Sequence, residues 1–567
     1  MDKSFFFEHN LQALSTNNSK LCTRLSAANP KHLQYNFLTG RDGNIIPAYI
    51  DKTGEARPLH SLIAAQKEAD RIAATLSGES YIIVLGLGGG YTVSAAINCP
   101  TVKHILLIDY DIDGFAELLC KMDFAILFKN KKLNILIDPS QSEIENHILS
   151  TYNPCLQDGI RALPLRARCD FDTEHFIPAA DAIKSAIDKV SSDYSVQVYF
   201  GKRWFSNILR NVFAAEKHYF AMPTIQRAAI CAAGPSLDLQ IDAIKTLVDN
   251  EQRSAKKNVF LLATDTSLGT LLQAGIKPDA VISIDCQHIS YYHFVGYNIK
   301  DIPLFLDIAS PPHLSQFSDK VCFFLSAHPL STYIENFFRP LPKIDTSGAN
   351  VTYAALSLAE QLGAMEIEIF GADFSYPLGN VYTRGAYFYP HFHRKQNRFK
   401  PIELSIAAFL YKAPSLQTVQ KDNSWYYETR SLKMYRQAFE KKTFLIDAKV
   451  KAAHGLGAEI NVNGKSKTSS GQKLSPRAQM FSSGKLKSGA KDFLQLYKKL
   501  IQELDNNIES GCRCYKNPID YMIWNSILPT ASAIKHKDKI DTLETLAEET
   551  KKYCIDAIEK VLSYEHL

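Results

Sequence analysis

The sequence predicts an α/β chain, with two parallel-sheet domains in tandem and a helical C-terminal region. Three observations carry this. Short apolar runs recur, among them YIIVL, HILLID, RAAICA, FLLATD, AVISID and EIEIF, and each has the length and β-branched content of a strand buried on both faces. Stretches with helical apolar spacing, such as TSLGTLLQAG and ANVTYAALSLAEQLG, lie between them. Strands alternating with helices indicate βαβ units and a parallel sheet. Finally, two strand-to-helix junctions carry glycine turns, at Gly86–Gly90 and at Gly234.

Residues 1–75 read as a mixed region. LQYNFLTGRDGNIIPAYID has the pattern of strand, turn and strand, and residues 58–76 have helical spacing. Residues 76–220 read as a first Rossmann-like domain, with buried strands in 81–97 and 104–111 and a helical stretch over 178–220. Residues 221–463 read as a second such domain, with strands expected over 227–238, 259–265, 279–285, 304–309, 321–327 and 366–374. Residues 464–490 are rich in Ser, Gly and Lys and read as a basic linker, solvated or closing on an acidic partner. Residues 491–567 read as amphipathic helices broken near Lys516-Asn517-Pro518.

Composition narrows the function classes. With 567 residues, 46% hydrophobic and 22% charged, the chain is of ordinary globular make-up and long enough for several cores. A net charge of +5 over that length does not by itself indicate nucleic acid. No apolar run approaches the roughly 20 residues of a membrane helix, and the start MDKSFFFEHN lacks a secretory pattern. The eleven cysteines include no CxxC pair, so reduced thiols, a cytoplasmic location and no zinc site are expected. Oligomeric state is left open.

Gly86, Gly88 and Gly90 follow a buried strand, and Asp109 ends the next one. Glycines let a ligand approach backbone at a helix N-terminus, and an acid there accepts from a ribose hydroxyl. This is a possible second nucleotide site, with the pattern of a methyltransferase's nucleotide end; a tight turn without ligand fits equally. In the second domain Gly234, Pro235 and Ser236 follow a strand, where Ser236 can cap the helix or donate to a phosphate. Asp265 and Asp285 close two later strands, Thr346-Ser347-Gly348 precedes a helix, and Gly371 and Asp373 follow another strand. Such groups at successive strand ends face one crevice in an open α/β sheet.

Together AAGPSL, ATDTSLGTLLQAGIKPDAVISID, TSGANVTYAALSLAEQLG and IEIFGADFSYPLGNVY resemble the motility-associated factor family of flagellin glycosyltransferases, whose central domain has been described as 6-hydroxymethylpterin pyrophosphokinase-like. The motifs also look like those of bacterial sialyltransferases that use CMP-activated nonulosonic acids. The resemblance implies that Gly234, Pro235 and Ser236 cradle phosphate, that Thr346, Ser347, Gly348 and Gly371 lie against cytidine, and that Tyr382 binds phosphate. It implies a CMP-linked pseudaminic or legionaminic acid as donor, flagellin Ser or Thr as acceptor, and no required cofactor or metal. Arg384 would add charge near the phosphate. Two departures stand out: Asp265 and Asp285 replace amides, and no histidine falls at the expected base position. His391, His393 or Asp373 would then serve in catalysis, unless the histidines have surface roles and the acid a structural one. Three other readings compete. They are a Mg²⁺-dependent pyrophosphokinase, against which Ser283 stands where an acid pair needs a second Asp, a non-catalytic flagellin-binding module, and a methyltransferase.

Overall fold

The computed structural model describes residues 5–16, 18–28, 34–51, 53–222, 224–252, 259–413, 415–421, 424–462, 481–511 and 517–564. The chain divides into two compact units, Met1–Gln197 and Val198–Leu567. The helix Thr173–Lys217 begins in the first and ends in the second.

In the first unit β1 (Tyr35–Thr39), β2 (Ile45–Ile50) and β3 (Ala56–Pro58) form an antiparallel meander. Beside it, β4 (Tyr81–Leu85), β5 (His104–Asp109), β6 (Leu133–Ile137) and β7 (Ile160–Pro164) form a parallel sheet in the order β6-β5-β4-β7. Every residue of β4 is buried because both faces are covered. Ile82 and Val84 pack into a layer with Phe7, Leu14 and Phe115, while Tyr81, Ile83 and Leu85 face Ile144, Ile148 and Phe176. Burying side chains of this size contributes about 1.5–3 kcal/mol each. Residues 1–75 are thus not a separate region, since Phe7, Leu14 and Tyr35 belong to the core of the sheet.

The second unit opens with β8 (Ala221–Met222) and β9 (Arg227–Cys231), followed by β10 (Val259–Thr264), β11 (Ala280–Ser283), β12 (Leu304–Asp307), β13 (Val321–Phe324) and β14 (Glu366–Phe370). Three strands lie beyond the sequence expectation: β15 (Tyr376–Pro377), β16 (Gln417–Lys421) and β17 (Ser424–Glu428), which form a small antiparallel sheet. So does β18 (Lys449–Ala452), which completes a seven-stranded parallel sheet in the order β13-β12-β11-β10-β9-β14-β18. The chain steps outward from β9 to β13 and then crosses back to β14, so β9 and β14 flank the switch point. Expected strand limits shrink here. Asp265 opens the helix Asp265–Gln273 instead of ending a strand. The expected linker falls mostly outside the described residues; β19 (Phe481–Ser482) pairs with β8, and Phe481 is buried. The helices Ala490–Glu503, Pro518–Asp538 and Leu543–Tyr564 pack within this unit, with the Tyr497 ring tilted against Tyr333 at 4.5 Å. The α/β class with a helical C-terminal region stands as expected. Among the described residues no helix is long and apolar enough to cross a membrane.

Candidate functional site

The switch point is closed by the chain itself. Ser236 donates its N–H to Asp373 Oδ2 at 2.8 Å and its hydroxyl to Asp373 Oδ1 at 2.5 Å. The loop after β18 completes the closure, as Leu456 N–H donates to Ser236 Oγ (2.7 Å) and Gly457 N–H to Asp373 Oδ1 (3.1 Å). A Cβ on Gly234 would sit 2.4 Å from Asp373 Oδ2, and one on Gly371, whose φ is +65°, would sit 2.3 Å from Ala232 O. These glycines therefore bring two loops together. Burial pushes the Asp373 carboxyl up, opposed by the Ser236 and Gly457 donors. Gly234, Pro235 and Ser236 thus sit in a buried buckle, and the carboxylate of Asp373 is committed to it.

The two strand-end acids lie one step away, at β10 and β11. Asp265 is buried. Its Oδ1 accepts from Thr266 N (2.7 Å), and its Oδ2 accepts from Ser283 Oγ (2.6 Å). Asp285 accepts from Gln287 N at 2.9 Å. Burial and then the Asp265 charge push the Asp285 carboxyl up, while His293 pulls it back. Two phenols share this field: burial raises Tyr382 and Tyr387, and both feel Asp265 and Asp285.

A segment from Gly379 to Arg394 lies over these strand ends. Thr383 N–H donates to Ala233 O (3.0 Å), and the Thr383 hydroxyl and the Arg384 N–H both donate to Asp238. Gly269 and Gly385 let this segment press on the helix Asp265–Gln273, since a Cβ on Gly385 would lie 2.5 Å from Thr270 Cα. The result is a cleft of about 480 Å³, counting space open to solvent, whose wall includes Thr266, Tyr292, His293, Tyr387, His391 and Arg394. His293 is 8% exposed, and its ring meets Tyr387 edge-on at 4.6 Å. His391 meets Tyr292 at 5.2 Å and has Lys395 Nζ 3.0 Å from its Nε2. Burial and then Lys395 and Arg394 depress its pKa. His393 is exposed and outside the cleft wall, and the Arg384 side chain is also exposed.

Other expected site residues are placed apart. Thr346, Ser347 and Gly348 form the turn before the helix Val351–Gln361. Ser347 N–H donates to Asp345, and Gly348 lies under the Tyr353 ring, which would block a Cβ at 2.2 Å. Lys442 ties Asp345 to the helix Arg430–Leu445. In the first unit the glycine turn is occupied by the chain's own side chains. A Cβ on Gly86 would meet Arg168, one on Gly88 would meet His60, and one on Gly90 would press on Phe124 and Leu127. Gly89 N–H donates to His60 Nε2 (2.8 Å). Asp109 accepts from Leu87 N (2.7 Å) and pairs with buried Arg168 (3.2 Å). The space expected for a second nucleotide is filled by His60 and Arg168.

Sequence reasoning missed Tyr292, His293, Tyr387, Arg394 and the Asp238 anchor. A signal was present: CQHISYYH follows Asp285 directly, a run of rings and imidazoles at a carboxyl strand edge.

Residues 202–379 match the family model described as 6-hydroxymethylpterin diphosphokinase MptE-like. An uncharacterised protein of Treponema pallidum is 37% identical over 179 residues, which are 31% of this chain and 81% of that protein. Two others from the same organism are 34% identical over 116 residues and 25% over 225, spanning 20% and 40% of this chain and less than half, 41% and 48%, of each relative. Among solved structures, the MAf glycosyltransferase from Magnetospirillum magneticum AMB-1 superposes with a TM-score of 0.62 at 16% identity, over 98% of this chain and 95% of that one. The chain therefore carries an MptE-like domain at its centre and shares its fold with a MAf glycosyltransferase.

Proposed function

We propose that the chain is a glycosyltransferase that moves a sugar from a nucleotide-activated donor to a hydroxyl acceptor. The finer reading is a CMP-linked nonulosonic acid of the pseudaminic or legionaminic type as donor and flagellin Ser or Thr as acceptor, with no metal required. The observation that carries it is the charge layout of the cleft. Arg394 and Tyr387 stand in the wall, and Tyr387 lies in the field of the Asp265 and Asp285 carboxylates. Glycosyl transfer passes through a transition state with positive charge on the sugar and negative charge on the leaving phosphate. Fixed carboxylates oppose the first charge and a cation the second, so both are stabilised where they develop. The likeness in fold to a MAf glycosyltransferase supports the same reading.

A second reading has the name of the matched domain in its favour, namely pyrophosphoryl transfer from ATP. It needs Mg²⁺ on free carboxylate oxygens, whereas both Asp265 oxygens already accept from Thr266 and Ser283. The test is thermal unfolding with CMP and with ATP, each with and without Mg²⁺. At a ligand concentration of 100 times Kd, binding adds about 2.7 kcal/mol. Stabilisation by CMP without Mg²⁺, followed by sugar transfer from a CMP-linked donor to flagellin, is expected. Stabilisation by ATP only with Mg²⁺, together with AMP release, would replace this reading with the second.

A further inference from the structure

Within that glycosyl-transfer reading, on which this step rests, we infer that His293 is the general base that takes the proton from the acceptor hydroxyl. Neither His391 nor His393 holds that place.

His293 closes the short helical turn His288–His293 that follows Asp285. Its side chain is more than nine-tenths buried yet forms part of the cleft wall. Among the described residues its Nδ1 has no hydrogen-bond partner. A buried imidazole nitrogen left unsatisfied costs free energy unless something meets it during function. Tyr387 fixes the ring from its edge at 4.6 Å. Beside His293 the cleft wall carries Tyr292, Tyr297, Tyr387, His391 and Arg394, and Asp285 interacts with both His293 and Asp265.

Electrostatics separates the histidines. A general base must become an imidazolium as the hydroxyl loses its proton, so a nearby carboxylate helps and a nearby cation hinders. His293 and Asp285 interact with opposite sign. His391 has Lys395 at 3.0 Å and Arg394 beside it, which disfavour a second positive charge. His393 is exposed and outside the cleft wall.

The step balances without a co-reactant beyond donor and acceptor. The acceptor oxygen forms a bond to the anomeric carbon as its proton passes to the His293 imidazole. The bond from that carbon to the phosphate oxygen breaks, and its electron pair leaves with the nucleotide. The imidazolium then returns its proton to solvent.

The experiment measures CMP release from CMP-pseudaminic and CMP-legionaminic acid with unmodified flagellin as acceptor, from pH 5 to 9, for the full chain and for His293→Gln, His293→Asn and His391→Gln. Removing a general base typically costs 10²–10⁴-fold in rate. The expected result is a loss of that size in kcat for both His293 variants. The rise of rate with pH disappears, and the CMP-induced thermal shift is kept, which shows that the site is still folded. His391→Gln keeps the rising limb. A His293→Gln enzyme that keeps the rising limb, or that stays within threefold in kcat, overturns the assignment while leaving glycosyl transfer intact. Absence of both turnover and CMP stabilisation in the unaltered chain overturns the glycosyl-transfer reading, and the base with it.

Discussion

The two units carry the same local signature and use it differently. Each has a glycine turn between a buried strand and a helix, with acids at the strand ends that follow. In the first unit the acid, Asp109, is neutralised by Arg168 at 3.2 Å, and His60 accepts from the turn's own backbone. In the second, the turn is buckled to Asp373, but the acids at the next two strands have different neighbours. Asp265 is met by a serine hydroxyl, and Asp285 by Gln287 and the charge of His293. The difference teaches that such a signature specifies a close backbone approach and does not say what approaches. In one unit it is an arginine from a distant helix. In the other, the chain fills the switch point and leaves a cleft beside it.

The sharpest way to break the comparison is to remove the cation. Arg168 is 2% exposed, and Asp109 beside it is equally buried. Truncating one partner of a buried pair leaves an uncompensated charge and costs about 3–5 kcal/mol. Arg168→Met should therefore destabilise the first unit by that much, read as faster hydrogen exchange across residues 81–98 and a lower first unfolding transition. Adding Asp109→Asn should recover part of the loss. Equal exchange in both units would contradict it. Next in size is a pH effect. Burial pushes the His60 imidazole down to about 4. The unfolded chain binds a proton near pH 6.5 that the folded chain refuses, so His60's contribution is complete above pH 6.5 and is lost as pH falls toward 4. The full span is about 3 kcal/mol. Stability of the first unit, measured by denaturant unfolding from pH 7 to 4, should fall more steeply in the unaltered chain than in His60→Gln.

Much of the fold was legible because strands buried on both faces must be apolar throughout, as YIIVL and VCFF are. The edge strand KVKA was not, since an edge tolerates lysines and loses the signal. Asp265 misled for a local reason: an acid after an apolar run can end a strand or start a helix, and here Thr264 is the cap. The site was legible in kind and less so in detail. The strand-end acids and Tyr382 share one electrostatic field, as a common crevice requires. What no single sequence displays is pairing across long separations. Arg168 with Asp109, Ser236 with Asp373 and Thr383 with Asp238 each decide whether a polar group faces a ligand or the chain. Thr346–Gly348 had the right composition, but its turn is held by Asp345 and Tyr353.

The smallest effect tests whether the second turn is a buckle like the first. If Ser236 held a phosphate, Ser236→Ala would weaken donor binding and leave the apo chain nearly as stable. In the buckle, its hydroxyl donates to buried Asp373 and accepts from the part-buried Leu456 N–H. Losing it leaves a part-buried donor and part of a buried carboxylate unmet, a cost of about 1–3 kcal/mol. Only one of the hydroxyl's two partners is charged, and Asp373 keeps two backbone donors, from Ser236 and Gly457. The loss should therefore fall toward the lower end, about 1–2 kcal/mol. Thermal unfolding of the ligand-free variant should register it, while the stabilisation added by CMP should stay as large as in the unaltered chain. A variant with unchanged apo stability and a reduced CMP shift would return Ser236 to the phosphate and reopen the switch point as the binding site.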